Sequence, residues 1–260
     1  MVEAVGGAVT RLRVGDEVFG AGAGTLAECV AVPEASLVLK PAGLSFEQAA
    51  AVPVAALTAL QGLRDKGRLQ PGQRVLINGA SGGVGTFAVQ LASSFGADVT
   101  GVCSTRNVAM VRSLGADQVV DYTQEDFTRT GRRYDLLLDV AGNRSWPECA
   151  RILDPRAALV LVGAPNGNRL LGPVSHIAKV RLASLRASQK AVFFISKVSN
   201  EDLTALRELL EEGTIRPVVE RSYPLSEAAD ALRYLGEGHA RGKLVITVTG
   251  PGAGPGRGGS

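Results

Sequence analysis

The spacing of apolar and polar positions changes along the chain, and each change of period predicts an element. Residues 74–96 are the most regular stretch: the apolar run Val75–Ile77 predicts a buried strand, and a glycine-rich turn follows it. After the turn, apolar residues recur at helical spacing on one stripe, namely Val84, Ala88, Leu91, Ala92 and Phe95. The stretch therefore predicts a strand, a tight turn and an amphipathic helix in succession.

The same alternation continues towards the C terminus. Further strands are predicted at residues 98–103, 118–121, 134–140, 157–163 and 191–195. Helical patterns are predicted between them at 108–114, around Phe127, at 146–153 and at 177–185. Strands that are apolar on both faces and separated by helices are typical of a parallel sheet covered on both sides. With the strand at 74–78, the chain is predicted to be an α/β protein with a six-stranded doubly wound parallel sheet, a Rossmann fold.

The two ends of the chain carry a different pattern. Short strands are predicted at residues 14–20, 26–32, 37–40, 215–223 and 243–248, and helices at 46–51, 54–63, 200–212 and 226–235. Three short N-terminal strands leave too many backbone edges unpaired, so the C-terminal strands are expected to pair with them. The expected domains are 1–63 with 215–248 as a β domain with linking helices, 64–214 as the nucleotide-binding domain, and 249–260 as a disordered Gly/Pro tail.

Composition sets the broad class. The 260 residues carry a net charge of +3, with 45% hydrophobic and 20% charged residues, which is typical of a soluble globular protein and indicates neither nucleic acid nor a membrane. Cys29, Cys103 and Cys149 are odd in number and far apart, which favours a reducing compartment over a disulfide framework. Since the sequence has neither an apolar run of membrane-spanning length nor a leader-like start, a cytoplasmic location is expected.

The glycine-rich turn is the clearest chemical signal. Ala80–Gly85 fits the dinucleotide-binding fingerprint with alanine in place of the first glycine. Gly82 would let the backbone approach a pyrophosphate, Gly85 would let the helix pack closely on the strand, and amide groups at the helix start would hold the phosphates. Contacts to a cofactor are predicted for Ser81, Gly82, Gly83 and Val84. The alternative is a tight strand-to-helix connection that binds nothing.

The end of the second predicted strand bears on which cofactor is bound. Enzymes that use NAD place an acidic residue about 20 residues past the glycine turn, where it binds the ribose hydroxyls. This strand ends in Cys103–Arg106, without a carboxylate. The hydroxyl of Ser104 and the guanidinium of Arg106 suit a 2′-phosphate, which predicts NADP(H) as the cofactor. The alternative is a polar loop that caps the helix after Asn107.

Taken in order, the motifs resemble one known family. They are Gly15–Phe19, Leu26–Glu28, Thr58–Ala59, Gly79–Gly85, Leu114–Asp117, Asp121–Tyr122 and Gly242–Val245. This ordered set, which covers residues 1–248, resembles the zinc-free medium-chain dehydrogenases/reductases, in their quinone oxidoreductase-like branch. The resemblance implies that the β domain is a GroES-like catalytic domain. Because family members carry a further segment ahead of the Gly15–Phe19 motif, we expect an N-terminally shortened chain. Either the sequence is truncated at its start, or the active site is incomplete.

The resemblance also implies roles for residues outside the turn. Tyr122 would lie near the 2′-phosphate, with packing at the sheet edge as the alternative. Five positions would lie along the nicotinamide half of the cofactor: Thr58, Ala141, Gly142, Gly163 and Phe194. For Phe194 a place in the core is an equal alternative, and the match of Gly242 and Lys243 to a cofactor-contacting pair is weaker. No acid, base or nucleophile is identified, so the catalytic residues are left unknown.

Zinc is not expected as a cofactor. No four-cysteine lobe fits between Phe19 and Leu26, and Val54–Leu57 stands where the zinc-dependent relatives place a ligating cysteine. His176 and His239 have no partners at ligand spacing. The chain is therefore expected to contain no metal site.

The expected function is hydride transfer from NADPH to a quinone or an α,β-unsaturated carbonyl, with the protein positioning the reactants and excluding water. The expected partners are a small electrophilic substrate and a second copy of the chain in a homodimer, with no membrane. The alternative is a catalytically impaired nucleotide-binding or RNA-binding member of the family. The modest charge and the lack of an aromatic and basic patch make nucleic acid an unfavoured partner.

Overall fold

The structure, a computed structural model, describes residues 1–162, 180, 184 and 188–248. Its strands in chain order are β1 (Val18–Gly20), β2 (Leu37–Leu39), β3 (Arg74–Asn78), β4 (Asp98–Cys103), β5 (Gln118–Asp121), β6 (Tyr134–Asp139), β7 (Leu153–Leu161), β8 (Lys190–Phe193), β9 (Val219–Pro224) and β10 (Lys243–Thr247). The α-helices bounded by described residues are α1 (Phe46–Ala50), α2 (Pro53–Gln61), α3 (Gly83–Ser94), α4 (Val108–Ser113), α5 (Trp146–Arg151), α6 (Asn200–Glu211) and α7 (Ala228–Gly236). Gly163, the tail at 249–260 and, apart from residues 180 and 184, the helix predicted at 177–185 lie outside the described residues.

Six strands form one parallel sheet in the order β5-β4-β3-β6-β7-β8, which confirms the predicted doubly wound topology. The central strand β3 explains why the apolar pattern was informative. Val75 and Ile77 pack in a core shared with α2 and α3, whereas Leu76 packs in a second core on the opposite face, with Trp146 of α5. Successive side chains of a strand point to opposite faces, so a strand covered on both sides must be apolar throughout.

Local sequence signals fix several helix ends. Ser45 and Gln48 form the reciprocal bonds of a capping box at the start of α1, with distances of 3.2 and 3.0 Å. Pro53 occupies the start of α2, where the missing N–H is not needed. The predicted helix at 146–153 is too long: α5 ends at Arg151, and β7 begins at Leu153 rather than at residue 157.

The strands at the chain ends form two small separate sheets. β1 pairs with β2 in antiparallel fashion, and β9 pairs with β10 in parallel. The prediction that the C-terminal strands pair with the N-terminal ones is therefore wrong for the described residues. Instead, β1, β9 and β10 all contact α1, so this helix brings the two ends of the chain together.

The strand predicted at residues 26–32 is not formed either. These residues have no regular secondary structure, and Leu26 and Val30 are exposed. A short apolar stretch forms a strand only where a neighbouring backbone offers hydrogen bonds, and no described strand pairs with this one.

Candidate functional site

The glycine-rich turn connects β3 to α3 at the carboxyl edge of the sheet, which is where open α/β sheets bind their ligands. The amides of Gly79 and Ala80 donate to the Val102 carbonyl at 3.2 and 2.9 Å, which holds the turn against the end of β4. Gly82 precedes α3 in an extended conformation, and its amide donates to the Gly79 carbonyl at 3.1 Å. The turn is therefore fixed by its own backbone.

The first turn of α3 leaves its backbone amides available to an anion. No side chain caps this helix, and its first turn contains no acidic residue. Amides without intrahelical partners and the positive end of the helix dipole favour a negatively charged group at this position. A Cβ built on Gly82 would meet only the Gly79 carbonyl oxygen, at 3.5 Å, so the space in front of the turn is open.

Gly85 has the opposite surroundings. A Cβ at this position would lie 2.0 Å from the Gly79 carbonyl oxygen and 2.8 Å from the backbone of Ala80. Glycine is therefore needed for α3 to approach the turn this closely. The two glycines have separate roles, since Gly82 leaves room in front of the turn and Gly85 allows close packing behind it.

Lys243 brings a positive charge to the turn from the far end of the sequence. Gly242 forms a parallel bridge with Gly82, and its amide donates to the Ser81 carbonyl at 2.8 Å. A Cβ on Gly83 would lie 3.8 Å from Lys243 Nζ, so the ammonium lies beside the start of α3. Burial lowers the pKa of Lys243, and no described residue forms an ion pair with it.

An ammonium beside the positive end of a helix, with no acidic neighbour, is an arrangement that an anion would stabilise. The weaker sequence match of Lys243 therefore concerns a residue that lies directly beside the turn. The Gly242–Lys243 pair was visible in the sequence, but its proximity to the turn is a property of the folded chain.

Asn107 links the turn to the end of β4. Its Nδ2 lies 3.1 Å from Ser81 Oγ and 3.2 Å from Ser104 Oγ. Although Asn107 precedes α4, its side chain makes no capping bond, so the alternative of a helix-capping loop receives no support from this residue. Its Oδ1 is buried and has no hydrogen-bond partner among the described residues. A buried polar atom without a partner fits a site completed by a ligand.

Arg106 and Tyr122 flank this position but do not contact each other by a hydrogen bond. The Arg106 guanidinium donates to the carbonyl of His239, in the segment that precedes β10. Tyr122 follows β5, its amide donates to the Cys103 carbonyl at 3.0 Å, and its side chain is exposed. Of the residues predicted around the ribose, Ser104 is linked to the glycine turn through Asn107, whereas the Arg106 side chain points towards the segment before β10.

The Asp121–Tyr122 motif also brings a carboxylate to this edge, which the argument from the end of β4 did not consider because Asp121 comes from β5. Asp121 accepts the hydroxyl hydrogen of Thr105 at 2.5 Å and two hydrogen bonds from Thr123. The Thr105 bond is the largest cause of the lowered pKa of Asp121, so the group is ionised at neutral pH. The argument from a missing acid therefore applies to the end of β4 alone.

The next strand end is organised around a buried carboxylate. Asp139 Oδ1, at the end of β6, accepts from Asn78 Nδ2 and from the Gly142 amide, both at 2.8 Å. Asn78 Nδ2 also lies 3.0 Å from Asn143 Oδ1. A Cβ on Gly79 would meet the Ala141 amide nitrogen at 3.3 Å. Ala141 and Gly142 thus lie directly beside the glycine turn.

Thr58 and Phe194 lie on the far side, where α2 meets the segment after β8. Thr58 Oγ1 donates to the Val54 carbonyl at 2.6 Å and lies 2.8 Å from Ser196 Oγ. The Phe194 ring lies near Gly62, with the Lys66 ammonium 5.8 Å from its centroid. Phe194 is half-buried against the core, which agrees with the packing alternative without excluding a cofactor contact.

A buried polar network that sequence reasoning missed holds the same segment. The Gln61 side chain bonds both backbone groups of Lys197: Nε2 donates to the carbonyl at 2.8 Å, and Oε1 accepts from the amide at 3.0 Å. Gln61 Nε2 also donates to Asp202 at 2.7 Å, and Arg64 pairs with the other Asp202 oxygen at 2.7 Å. In this way α2 fixes the chain between β8 and α6.

The two buried cysteines, Cys103 and Cys149, are unsuited to act as nucleophiles. Burial raises the pKa of Cys103 to about 11 and that of Cys149 to about 12, so both are protonated thiols at neutral pH. Among the described residues, no group of three or more His, Cys, Asp or Glu side chains could hold a metal ion. The same residues include no helix that is both long and apolar enough to cross a membrane.

Comparison with known proteins places these features in a family. The profile of the zinc-binding dehydrogenase family matches residues 114–246. The chain is similar to "NAD(P)H oxidoreductase RTN4IP1, mitochondrial" of Mus musculus, with 35% identity over 92% of this chain. It spans 66% of the length of that relative.

Solved structures agree with this placement. The quinone oxidoreductase from Coxiella burnetii is 31% identical and superposes with a TM-score of 0.81 over 94% of this chain and 76% of its own. The Escherichia coli quinone oxidoreductase in complex with NADPH is 25% identical, with a TM-score of 0.79 over 94% of this chain and 78% of its own. With its Rossmann sheet and the family profile together, the chain belongs to the zinc-binding dehydrogenases of the medium-chain dehydrogenase/reductase family, among its quinone oxidoreductase-like members.

Proposed function

We propose that this chain binds NADPH at the carboxyl edge of the sheet and is an oxidoreductase that reduces a quinone or an α,β-unsaturated carbonyl. The observation that carries the proposal is the glycine turn: an uncapped helix start, open space in front of Gly82, and the un-neutralised ammonium of Lys243 beside it. The printed names of the relatives, an NAD(P)H oxidoreductase and quinone oxidoreductases, support the same reaction class.

Different strand ends would bind different parts of the cofactor. The amides at Gly83 and Val84, with Lys243, would hold the pyrophosphate. The first three strands of a doubly wound sheet take the adenosine half and the last three take the other half. The remaining predicted contacts follow that division: Ser104, Arg106 and Tyr122 towards the adenosine ribose, and Thr58, Ala141, Gly142, Gly163 and Phe194 towards the nicotinamide.

When bound, the nicotinamide ring supplies the hydride. The chain's own part in the reaction is to orient the ring and to keep water from the cleft. Asn78, Asp139 and Gly142 would fix the strand ends on which the ring lies. No proton donor is assigned among the described residues, and the catalytic residues stay open.

Preference for NADPH over NADH is the finer part of the proposal. Ser104 and Arg106 offer donors to a 2′-phosphate, and the buried Oδ1 of Asn107, which has no hydrogen-bond partner among the described residues, would accept a ribose hydroxyl. The carboxylate of Asp121 opposes the preference, since it would repel a phosphate nearby. It is engaged by three hydrogen bonds from Thr105 and Thr123, which lowers its capacity to bind ribose hydroxyls.

A homodimer is proposed from the exposed edge of the sheet. Among the described residues β8 is one of the two edge strands of the sheet, and Phe193, Ile195 and Val198 at or after its end are exposed, Ile195 to 78%. An open strand edge with apolar side chains is an association surface. Sedimentation analysis should give a dimer, and a monomer for Ile195→Lys; a monomeric parent chain would exclude this arrangement.

The test of the function combines binding with turnover. NADPH and NADH are titrated by fluorescence, and NADPH oxidation is then followed with 9,10-phenanthrenequinone as substrate. The matched control is Gly82→Val, which should bind neither cofactor. Binding with turnover supports the proposal, whereas binding without turnover points to a catalytically impaired member. RNA binding at about 150 mM salt without nucleotide binding would favour the alternative function.

Zinc independence and location belong to the same proposal. Elemental analysis of the purified protein should show far less than one zinc per chain, and activity should survive a chelator. A stoichiometric metal would overturn this part. The cytoplasmic location stays a prediction, and the name of the mouse relative places that protein in mitochondria.

A further inference from the structure

A cavity of about 570 Å³ lies between α4 and the segment that leads into β9. Three arginines from different parts of the chain line it: Arg106, Arg216 and Arg241. Its remaining walls are largely apolar and include Met110, Leu114, Pro217 and Val218. None of the described residues that line the cavity is acidic. The cavity therefore combines concentrated positive charge with apolar surface.

Each arginine is held in place by a separate contact. The buried side chain of Gln90 bonds both backbone groups of Arg216, at 2.8 and 3.0 Å. The Arg241 amide donates to Glu220 Oε2 at 2.7 Å, and the Arg106 guanidinium donates to the His239 carbonyl. Backbone bonds at Arg216 and Arg241, and the side-chain bond of Arg106, keep the three arginines around one cavity, although all three residues are exposed.

No described carboxylate forms an ion pair with the arginines of the cavity, although Glu220 accepts a hydrogen bond from the Arg241 amide. Among the described residues, the guanidinium groups of Arg216 and Arg241 make neither an ion pair nor a hydrogen bond. The one bond of the Arg106 guanidinium goes to a neutral carbonyl. Three like charges around one concave surface repel each other and raise the local concentration of anions. Guanidinium groups bind phosphate through paired N–H donors, which makes phosphate the best-matched anion.

We propose that this cavity is a second anion site, which binds a phosphate-bearing small molecule with its phosphate on the arginines and its apolar part on Met110, Pro217 and Val218. The volume lies within the range of about 300–1,000 Å³ that is typical of small-molecule sites. Of the residues predicted to contact the dinucleotide, only Arg106 lines the cavity; Ser104 and Tyr122 do not. The site therefore adjoins the ribose position at the end of β4 and shares Arg106 with it, while its other two arginines come from the segments before β9 and β10.

An occupant would bridge two parts of the fold. Met110 belongs to α4, a helix of the nucleotide-binding domain, whereas Arg216 and Arg241 precede β9 and β10. The Val218 carbonyl also accepts a hydrogen bond from the Lys243 amide at 2.8 Å. Because Lys243 lies beside the glycine turn, this bond connects the cavity wall to the turn. Binding in the cavity would hold the C-terminal strands against α4.

The test uses inorganic pyrophosphate as the probe, titrated calorimetrically into the full chain at a fixed ionic strength of about 0.1 M. The variants are Arg216→Gln and Arg241→Gln, with Arg216→Lys retaining the charge without the planar fork. Arg151→Gln is the matched control, because Arg151 is an exposed arginine on α5, at the opposite face of the sheet. Unchanged circular dichroism and melting temperature verify that each variant is folded.

Each glutamine variant should weaken pyrophosphate binding by about 3–10-fold, Arg216→Lys by less, and Arg151→Gln not at all. Saturating NADH, which would occupy the glycine turn but carries no 2′-phosphate for Arg106, should leave the affinity unchanged. No pyrophosphate binding, or equal losses in Arg151→Gln, would overturn the proposal. Loss of binding under saturating NADH would also overturn it, because it would assign the pyrophosphate to the glycine turn. If Arg216→Gln weakens NADPH but not NADH, the phosphate in the cavity is the cofactor's own 2′-phosphate, and a separate site is excluded.

Discussion

Two glycines of one turn differ in what a single methyl group would do. Gly82→Ala and Gly85→Ala each add one Cβ, three residues apart, at the two ends of the fingerprint. At Gly82 the new atom would have its nearest contact at 3.5 Å, which is ordinary van der Waals distance. At Gly85 it would lie 2.0 Å from the Gly79 carbonyl oxygen, which no relaxation of a side chain can relieve because both partners are backbone.

The two free energies can be worked from these distances. Gly85→Ala must displace α3 from the turn, and overpacking of this kind costs about 3 kcal/mol or slightly more. For a domain of this size, 1 kcal/mol corresponds to roughly 2–4 °C, so the melting temperature should fall by about 6–12 °C. Gly82→Ala should stay within about 1 kcal/mol of the parent, since a small loss of N-cap preference is offset by the lower entropy of the unfolded chain.

Cofactor binding should show the reverse order. Gly82→Ala places a methyl group where the pyrophosphate must approach, and we expect it to weaken NADPH by at least about 10-fold while the protein melts normally. The assay pairs thermal unfolding with fluorescence titration on the same preparations. Normal NADPH binding by Gly82→Ala would show that the phosphates lie elsewhere, and an unchanged melting temperature for Gly85→Ala would refute the packing argument.

Three further predictions concern charges and amides around the same edge. Arg106→Ala should weaken NADPH about 10-fold and leave NADH unchanged, because only the former carries a 2′-phosphate; equal losses in titrations of both would contradict this assignment. NADPH affinity should fall as the pH rises through the lowered pKa of Lys243, because a bound phosphate stabilises only the charged ammonium. In titrations between about pH 7 and pH 10, Lys243→Met should abolish this alkaline dependence. Gln61→Glu should lower the free energy of unfolding by roughly 2–4 kcal/mol, because it places a second carboxylate beside buried Asp202. In denaturant titrations, adding Asp202→Asn to this variant should restore more than half of the lost free energy of unfolding. If nothing is restored, a direct coupling between the two residues is excluded.

The parallel sheet was predictable because the continuous apolar runs of its central strands indicate burial on both faces, whichever strands they pair with. Val75, Leu76 and Ile77 are apolar in succession, and a strand of this kind is buried on both faces wherever it pairs. The stretch at 26–32 is also largely apolar, with Glu28 as its one polar residue, yet it forms no strand. Its composition suits a strand but leaves open which backbone pairs with it, and that depends on the rest of the fold.

The candidate site divides in the same way. Gly82 and Gly85 were predicted with their separate roles because the fingerprint lies within one strand–turn–helix unit, where sequence spacing fixes the geometry. Asn107, Asp121 and Gln61 were missed because each acts through residues distant in sequence. Their polar side chains occupy positions that in isolation indicate a helix cap, an exposed strand end and a helix surface.

The glycine fingerprint describes only half of the surface that an anion would meet. The other half comes from Gly242 and Lys243, where the parallel bridge to Gly82 places the start of β10 against the start of α3. Gly242 has a φ of +70°, and a Cβ there would lie 2.2 Å from the Val218 carbonyl oxygen, so this position is as restricted to glycine as Gly85. An anion at the turn would therefore contact two segments that the chain itself joins by few bonds. Its binding free energy would stabilise the docking of β9 and β10 as well as the turn, in proportion to the logarithm of ligand concentration over Kd.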